Sequence, residues 1–137
     1  MISQGRHRNA ASGYQRIRNE SLTQHSTPQE LILLVYQSLI DRLVKCQGYL
    51  EHGENEDFDR EVLKSMQLIQ YGLRDSLSFD LGGEVAVNLD HTYATWMMVL
   101  EFLNTSRSVE RLANLIVGVR DVHEAWKISF AVGGSGK

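Results

Sequence analysis

The sequence predicts an all-α fold, an antiparallel up-and-down four-helix bundle preceded by an N-terminal arm. Four segments of similar length carry apolar residues at helical spacing, short polar loops separate them, and no segment has the pattern of a strand. The 137 residues, 42% hydrophobic and 23% charged, are ordinary for one globular domain. We expect an arm at residues 1–25, a bundle at 26–132 and a flexible tail at 133–137, whose Gly-Gly-Ser-Gly-Lys sequence is typical of an added linker.

The arm is basic and the rest of the chain is acidic. Residues 1–19 contain four arginines and no acidic residue, while the whole chain has a net charge of −3. The remaining residues therefore carry a net charge of −7. A basic arm can contact phosphate groups, but no further basic cluster follows it, and the acidic body would repel nucleic acid. We expect no nucleic-acid partner, and a solvated tail is the simpler interpretation of the arm.

Hydropathy gives no sign of a membrane or secreted protein. No stretch approaches the roughly 20 apolar residues that a membrane span requires, and the first residues have no apolar core of a signal peptide. The single cysteine, Cys46, cannot form an internal disulfide, which agrees with a reducing compartment. We expect a cytoplasmic protein with no membrane insertion.

The first helix has the clearest start signal in the chain. Thr27 is a candidate N-cap, Pro28 then occupies the first helical position, and Glu30 completes a capping box. The apolar stripe that follows predicts a helix ending near Glu51, before Gly53. Its members are Ile32, Tyr36, Leu39, Leu43, Cys46 and Leu50.

Three more helices follow at similar spacing. Acidic residues at 56–61 suit the positive N-terminal end of the second helix. Its apolar stripe is Phe58, Val62, Met66, Ile69, Leu73 and Leu77. The third helix opens after Gly82 and Gly83, and Ser106 or Ser108 is the candidate N-cap of the fourth. The stripe of the fourth helix is Val109, Leu112, Ile116, Val119, His123, Trp126 and Phe130.

Candidate catalytic and ligand-binding features are weak. The paired glycines 82 and 83 are followed by Glu84, whose charge would repel a phosphate, so they are better interpreted as a turn with positive backbone angles. No histidine has an acidic residue three positions before it, which excludes the Glu-x-x-His pattern of di-iron bundles. His123 and Cys46 lie on apolar stripes and are expected in the core. We expect no catalysis, no metal and no cofactor.

The third helix carries more apolar residues than one core-facing stripe needs. Thirteen of the nineteen residues from Val85 to Leu103 are apolar, whereas about three in seven suffice in a bundle helix. They include Trp96, Met97, Met98, Val99 and Phe102, which cannot all face one core. An exposed remainder implies a partner. That partner is a second copy of the chain, the docked arm, or a helix of another protein.

Several short motifs resemble the family of flagellar secretion chaperones called FliS. The resemblance covers roughly residues 14–127. It rests on Tyr14-Gln15, on Thr27-Pro28-Gln29-Glu30-Leu31-Ile32 with Tyr36, on Leu81-Gly82-Gly83-Glu84-Val85-Ala86 with Asn88-Leu89, Tyr93 and Met97, and on Ala125-Trp126. The chain departs from the family at Gln37-Ser38, where an acid and a glycine are usual, and in its long arm before Tyr14.

The resemblance implies a cytoplasmic chaperone that binds the disordered C-terminal segment of flagellin in apolar surface grooves. It would prevent premature polymerisation and deliver flagellin to the cytoplasmic part of the flagellar export gate. We expect the surplus apolar face to form the binding site. Its predicted residues are Tyr93, Trp96 and Met97, with Leu77, Leu81 and Leu89 beside them. The alternative from another class is a homodimeric helical regulatory or adaptor bundle.

The arm contains an isolated apolar pair whose use the sequence does not explain. Tyr14 and Ile17 lie three residues apart, as on one helical turn. Because the body is acidic and has a spare apolar groove, residues 14–18 could dock there as a lid when flagellin is absent. The alternative is a tail that contacts nothing.

Overall fold

The computed structural model describes residues 27–77 and 83–135, and four helices account for most of them. They are α1 (Pro28–Glu51), α2 (Asn55–Gln67), α3 (Gly83–Ser106) and α4 (Val109–Ser135). No strand occurs in these two ranges. The predicted all-α helical bundle is therefore confirmed.

The start and end of α1 agree with the local sequence signals. The side-chain oxygen of Thr27 accepts a hydrogen bond from the Glu30 backbone amide at 3.1 Å, and Pro28 occupies the first helical position. The Thr27 hydroxyl also donates to the Glu30 carboxylate at 3.4 Å. The helix ends at Glu51, and Gly53 has a φ of 69°, a left-handed angle that favours glycine.

The end of α2 is irregular. The helix continues as a wide π-helical turn, Leu68–Leu73, and then as a tight 3₁₀ turn, Arg74–Ser76. Four of the six residues in the π turn are buried, namely Leu68, Ile69, Gly72 and Leu73. The apolar stripe from Phe58 to Leu77 predicted one regular helix here.

Both ends of α3 have a residue with a positive φ angle. Gly83 begins α3 with a φ of 65°, as the turn interpretation predicts, while Gly82 lies outside the described residues. Arg107 follows α3 with a φ of 48°, which is uncommon for a side chain larger than glycine. The Ser108 hydroxyl then accepts a hydrogen bond from the Arg111 amide at 3.1 Å, so Ser108 caps α4.

The end of α4 differs from the predicted domain boundary. We expected a flexible tail from residue 133, but α4 continues through Ser135. Glycine weakens a helix by about 1 kcal/mol relative to alanine without preventing it, so Gly133 and Gly134 can prolong a helix that is already formed. Residues 136–137 and the predicted arm, 1–25, lie outside the described ranges.

The helices pack as an antiparallel up-and-down bundle. α1 packs most extensively on α2 and α4, and α3 closes the bundle by contacting those same two helices. Buried apolar side chains from all four helices form one core. The core contains Val35, Tyr36, Leu39, Ile40, Leu43, Cys46, Phe58, Val62, Leu68, Ile69, Leu73, Tyr93, Trp96, Leu100, Leu103, Leu112, Leu115, Ile116 and Val119.

The two ends of the bundle are packed differently. We call the end with the connections at residues 52–54 and 107–108 the closed end. Its core side chains are fully buried, including Leu43, Phe58, Leu103 and Leu112, each 0% exposed. We call the other end the open end, formed by the start of α1, the end of α2, the start of α3 and the end of α4. Several of its apolar side chains are only half-buried, including Ile32, Leu77, Leu89, Trp126 and Phe130.

Candidate functional site

An apolar cleft lies at the open end, where all four helices contribute side chains. Its lining residues are Ile32, Gly72, Leu73, Ser76, Leu77, Tyr93 and Trp126. Ser76 is the one side chain in this set with an aliphatic hydroxyl, and that hydroxyl donates to the Gly72 carbonyl at 3.1 Å. The cleft has a volume of only about 20 Å³ and few free polar groups, which suits the end of one apolar side chain.

Aromatic side chains from three helices form the floor of the cleft. The hydroxyls of Tyr36 and Tyr93 are hydrogen-bonded to each other, and Trp126 Nε1 donates to the Tyr36 hydroxyl at 3.0 Å. The Tyr36 ring meets the Trp96 ring edge-on, with centroids 6.4 Å apart. Burial raises the pKa of Tyr36 and of Tyr93, so both phenols stay neutral. The network joins α1, α3 and α4 beneath the cleft.

His123 lies under the same aromatic cluster. Its ring stacks on Tyr36 with an interplanar angle of 1° and a centroid distance of 5.7 Å. Burial, reinforced by the charge of Lys127, lowers the pKa of His123 below its ordinary value. The imidazole is therefore neutral at pH 7. Its side chain is buried, with 6% of the residue exposed. The prediction of a core histidine is confirmed.

The structure brings some predicted site residues to the cleft. Leu77 and Tyr93 line it together. Leu89 is half-buried and packs against the core one helical turn before Tyr93. Leu81 and the predicted lid residues, Tyr14 and Ile17, lie outside the described residues. Their role in binding a partner stays a prediction.

Two predicted residues are not on an exposed face. Tyr93 is 2% exposed and Trp96 is 6% exposed, so the expectation that both lie on a free surface is wrong. Apolar residues occupy so many positions of α3 that their spacing does not identify the inward face. Met97 is half-buried, and its sulfur accepts a long hydrogen bond of 3.9 Å from Arg74 Nη1.

Sequence reasoning missed Trp126 and Ile32 as cleft residues. The sequence placed both on the core-facing stripes of their helices. Their side chains do point inward, but they also line the cleft. The cleft forms because the apolar stripes continue at the open end beyond the fully buried part of the core. Where full burial ends depends on tertiary packing. A signal was available in the motif residues Tyr36, Tyr93 and Trp126, which are far apart in sequence and share one hydrogen-bonded network.

Surplus apolar surface is present on α3, as predicted, and includes Met98 and Phe102 from the predicted set. Val85 and Val87 near its start are each 55% exposed, Met98 is 69% exposed and Phe102 is 47% exposed. The Arg111 guanidinium lies over the Phe102 ring at 4.6 Å. Val87, Met98 and Phe102 lie on the same side of α3, with the exposed His91 and Thr95 between Val87 and the other two. We call these three apolar residues the outer stripe of α3.

An ion pair crosses from α2 to α3 beside the cleft. Arg74 Nε donates to Asp90 Oδ1 at 2.8 Å, and Arg74 Nη2 donates to Asp90 Oδ2 at 3.3 Å. These hydrogen bonds hold the pKa of Asp90 below its ordinary value. Both side chains remain partly exposed, at 29% for Arg74 and 47% for Asp90.

The described residues offer little chemistry beyond these contacts. Burial raises the pKa of the Cys46 thiol to about 12, and the side chain is 0% exposed, so its predicted burial is confirmed. Within residues 27–77 and 83–135, no three His, Cys, Asp or Glu side chains are grouped closely enough to hold a metal ion. None of the helices in those ranges combines the length and apolar character needed to cross a membrane.

The fold and the site together define an all-α bundle with an apolar end cleft, an arrangement typical of proteins that bind helical segments of other proteins. A family model described as flagellar protein FliS matches residues 10–130. The chain belongs to the FliS family, as its motifs indicated.

Curated relatives share most of their length with the chain. It is 29% identical to flagellar secretion chaperone FliSB of Pseudomonas aeruginosa over 117 residues, which are 85% of this chain and 92% of the relative. It is 26% identical to flagellar secretion chaperone FliS of Salmonella typhimurium, with 83% and 84% covered. For the FliS of Vibrio cholerae the identity is 23%, with 87% of each covered. These names support an export chaperone role.

Proposed function

We propose that this protein is a cytoplasmic export chaperone that binds the C-terminal segment of flagellin and keeps it from polymerising before secretion. The names of its relatives support the chaperone role. The observation that carries the binding mode is the open end of the bundle, where core-facing side chains from all four helices stay half-buried around an apolar cleft. A client helix with apolar residues at positions i, i+3 or i+4 could complete that packing.

The energetics require a contact larger than the cleft. Ordering a disordered segment on binding costs about 2 to 5 kcal/mol, and such complexes typically bury about 1,000 to 3,000 Å². Seven lining residues cannot supply that area. We infer that the client continues from the cleft along exposed apolar side chains, of which the outer stripe of α3 is the best candidate. A client wrapped in this way would have its own polymerising helices covered.

A titration with a matched pair of variants tests this proposal. A peptide from the C-terminal region of the cognate flagellin should bind one to one and gain helix, as measured by calorimetry and circular dichroism. Leu77→Glu, in the cleft, should weaken binding at least about tenfold, because a charge would be buried against apolar side chains. Leu63→Glu makes the same change 14 residues earlier, at a position of α2 where Leu63 is 55% exposed, and should leave the affinity within about twofold.

Two results would refute the binding mode. One is a wild-type protein that neither binds the peptide nor copurifies with coexpressed flagellin. The other is a Leu63→Glu variant that loses binding while Leu77→Glu retains it. Thermal unfolding of both variants identifies any loss of binding that follows from loss of the fold.

The arm is proposed to act as a lid over the cleft, with Tyr14 and Ile17 occupying it in the absence of flagellin. A tethered segment acts at an effective concentration of the order of millimolar, so weak docking would suffice. If the open state were about a tenth of the population, deleting residues 1–19 would raise the apparent affinity about tenfold. Unchanged affinity would mean that the arm is idle, and a loss would mean that it holds the client itself.

Delivery to the cytoplasmic part of the flagellar export gate is the further step of the proposed role. The test is a pull-down of the purified gate domain with the chaperone alone and with its flagellin complex. Retention of the complex, or of the chaperone alone, supports delivery by direct contact. Retention of neither contradicts it.

A second candidate function is supported by the outer stripe of α3. Val87, Met98 and Phe102 lie on one face, so α3 could pair with the same helix of a second copy, as in a homodimeric regulatory or adaptor bundle. Sedimentation of the purified protein separates the two functions. A tight dimer that binds no flagellin supports the regulator, whereas a monomer that takes up one flagellin supports the chaperone.

A further inference from the structure

The two halves of α3 are held to the bundle in different ways. From Tyr93 onward the helix buries Tyr93, Trp96, Leu100 and Leu103 in the core. None of the residues 83–92 is buried, although this segment is apolar at Val85, Val87 and Leu89. The first half of α3 therefore has weaker core contacts than the second half, since Leu89 packs against the core but is only half-buried.

A single ion pair compensates for part of that deficit. Among the described residues, the polar side-chain contact between residues 83–92 and another helix is the bidentate pair of Arg74 with Asp90, at 2.8 and 3.3 Å. Arg74 also donates to Gln70 Oε1 at 3.3 Å, which orients the guanidinium from its own helix. Arg74 is the first residue of the 3₁₀ turn that follows the π turn.

The pair lies one helical turn from both walls of the cleft. Leu77 follows Arg74 by three residues, and Tyr93 follows Asp90 by three residues, so each wall residue lies next to a pair member on its helix. Separating Arg74 from Asp90 would let the first half of α3 move away from the end of α2. The α3 residues that would then move are those before Tyr93, including the half-buried Leu89, which lies one helical turn from the cleft wall.

We propose that the Arg74–Asp90 pair is a latch that holds the start of α3 against the end of α2 and limits the opening of the cleft to a client helix. This inference rests on the proposed function for the nature of the client. Because both side chains are partly exposed, the pair is a weak one that thermal motion opens and closes. A latch of this strength controls how often the cleft opens, so it acts on the rate of client association.

The chain contains a closely matched control pair. At the closed end, Arg107 Nη2 lies 3.1 Å from Asp59 Oδ1, and the two side chains are 29% and 48% exposed. The latch residues have exposures of 29% and 47%. Asp90→Asn and Asp59→Asn therefore remove similar charges from similar surroundings, and only the first should loosen α3 at the cleft.

Hydrogen exchange of the full-length free protein tests the latch without a client. In Asp90→Asn, the amides of residues 87–92 should exchange about 2 to 5 times faster, while the core amides of residues 96–103 should not change. Asp59→Asn should leave both groups unchanged. Exchanging the charges in Arg74→Asp/Asp90→Arg should restore slow exchange. Equal exchange at residues 87–92 in wild type, Asp90→Asn and Asp59→Asn would overturn the latch.

Stopped-flow mixing with the flagellin peptide tests the effect on binding. The association rate constant should rise about 2- to 5-fold in Asp90→Asn and stay unchanged in Asp59→Asn. Faster exchange with unchanged association would overturn the control of client entry while leaving the proposed function intact. If no protein, including wild type, binds the peptide, the proposed function fails, and hydrogen exchange still decides whether the pair restrains α3.

Discussion

The closed and open ends of this bundle use the same four helices and similar apolar side chains, but they bury them to different extents. At the closed end Leu43, Phe58, Leu103 and Leu112 are fully enclosed. At the open end, side chains on the same helix faces, such as Leu89, are half-buried around a cleft. The comparison indicates that one end provides most of the stability and the other keeps apolar surface for a partner.

The connections explain part of this difference. At the closed end, Arg107 in the two-residue turn between α3 and α4 pairs with Asp59 and lies over the Phe58 ring at 5.2 Å, which ties that turn to the start of α2. At the open end, α1 begins and α4 ends. These two helices are not consecutive in the chain, so no loop connects them there. Helix ends that are not joined can separate at lower cost, because fewer contacts are lost.

The largest expected effect compares two leucines of α3. Leu103→Ala at the closed end should lower the free energy of unfolding by about 2 to 5 kcal/mol, because it leaves a cavity in a fully buried layer. Leu89→Ala at the open end should cost less than about 1.5 kcal/mol, because its side chain is already partly solvated. Urea unfolding of both variants measures the difference. Equal losses would mean that the two ends are equally packed.

A smaller loss is expected from the hydrogen-bond network beneath the cleft. Tyr36→Phe removes the hydroxyl that accepts from Trp126 and bonds to Tyr93, and should destabilise the protein by about 1 to 3 kcal/mol. Tyr49→Phe, on the same helix toward the closed end, is the control and should be near neutral. If both changes have the same effect in thermal unfolding, the network does not stabilise the open end.

Acidic pH should act on the open end through His123. Its folded pKa lies below the ordinary value of 6.5, so the unfolded chain binds the proton more readily. The corresponding stability is fully present above pH 6.5 and is lost as the pH falls below it. Thermal midpoints should therefore fall between pH 7.5 and pH 5.5, less so in His123→Gln. The exposed His91→Gln should retain the wild-type slope, and a shared slope for all three proteins would contradict this assignment.

The smallest effect is expected on the outer face of α3. Met98→Lys should change the free energy of unfolding by less than about 0.5 kcal/mol, because Met98 is 69% exposed. The same variant, examined by sedimentation, tests self-association through that face. A loss above about 2 kcal/mol would place Met98 in a packed layer and would end the distinction between the faces of this helix.

Local signals account for what could be predicted from the sequence. Thr27 and Pro28 fix the start of α1, and Ser108 fixes the cap of α4, because capping depends on residues within one turn. The apolar stripes of α1 and α2 predicted most of the core for a similar reason, since their polar faces are distinct. The fold class therefore followed from short-range patterns.

The site was harder to predict because it depends on how the stripes meet. α3 is apolar on several faces, so Tyr93 and Trp96 were placed on the surface although they are in the core. The π turn at Leu68–Leu73 has no sequence pattern that distinguishes it from an α turn. Trp126 lies at the cleft, where it contacts Tyr36. The two residues are 90 positions apart in the sequence, so no local pattern predicts this contact.

The burial of Cys46 makes the chain convenient for chemical labelling. It is the single cysteine of the sequence, it is 0% exposed, and burial raises its pKa to about 12. Thiol reagents act on the exposed thiolate, so a maleimide dye should not modify the folded protein. A cysteine introduced on the exposed surface of the open end would be the only reactive thiol. Fluorophores or cross-linkers could then be attached beside the cleft without first removing a native residue.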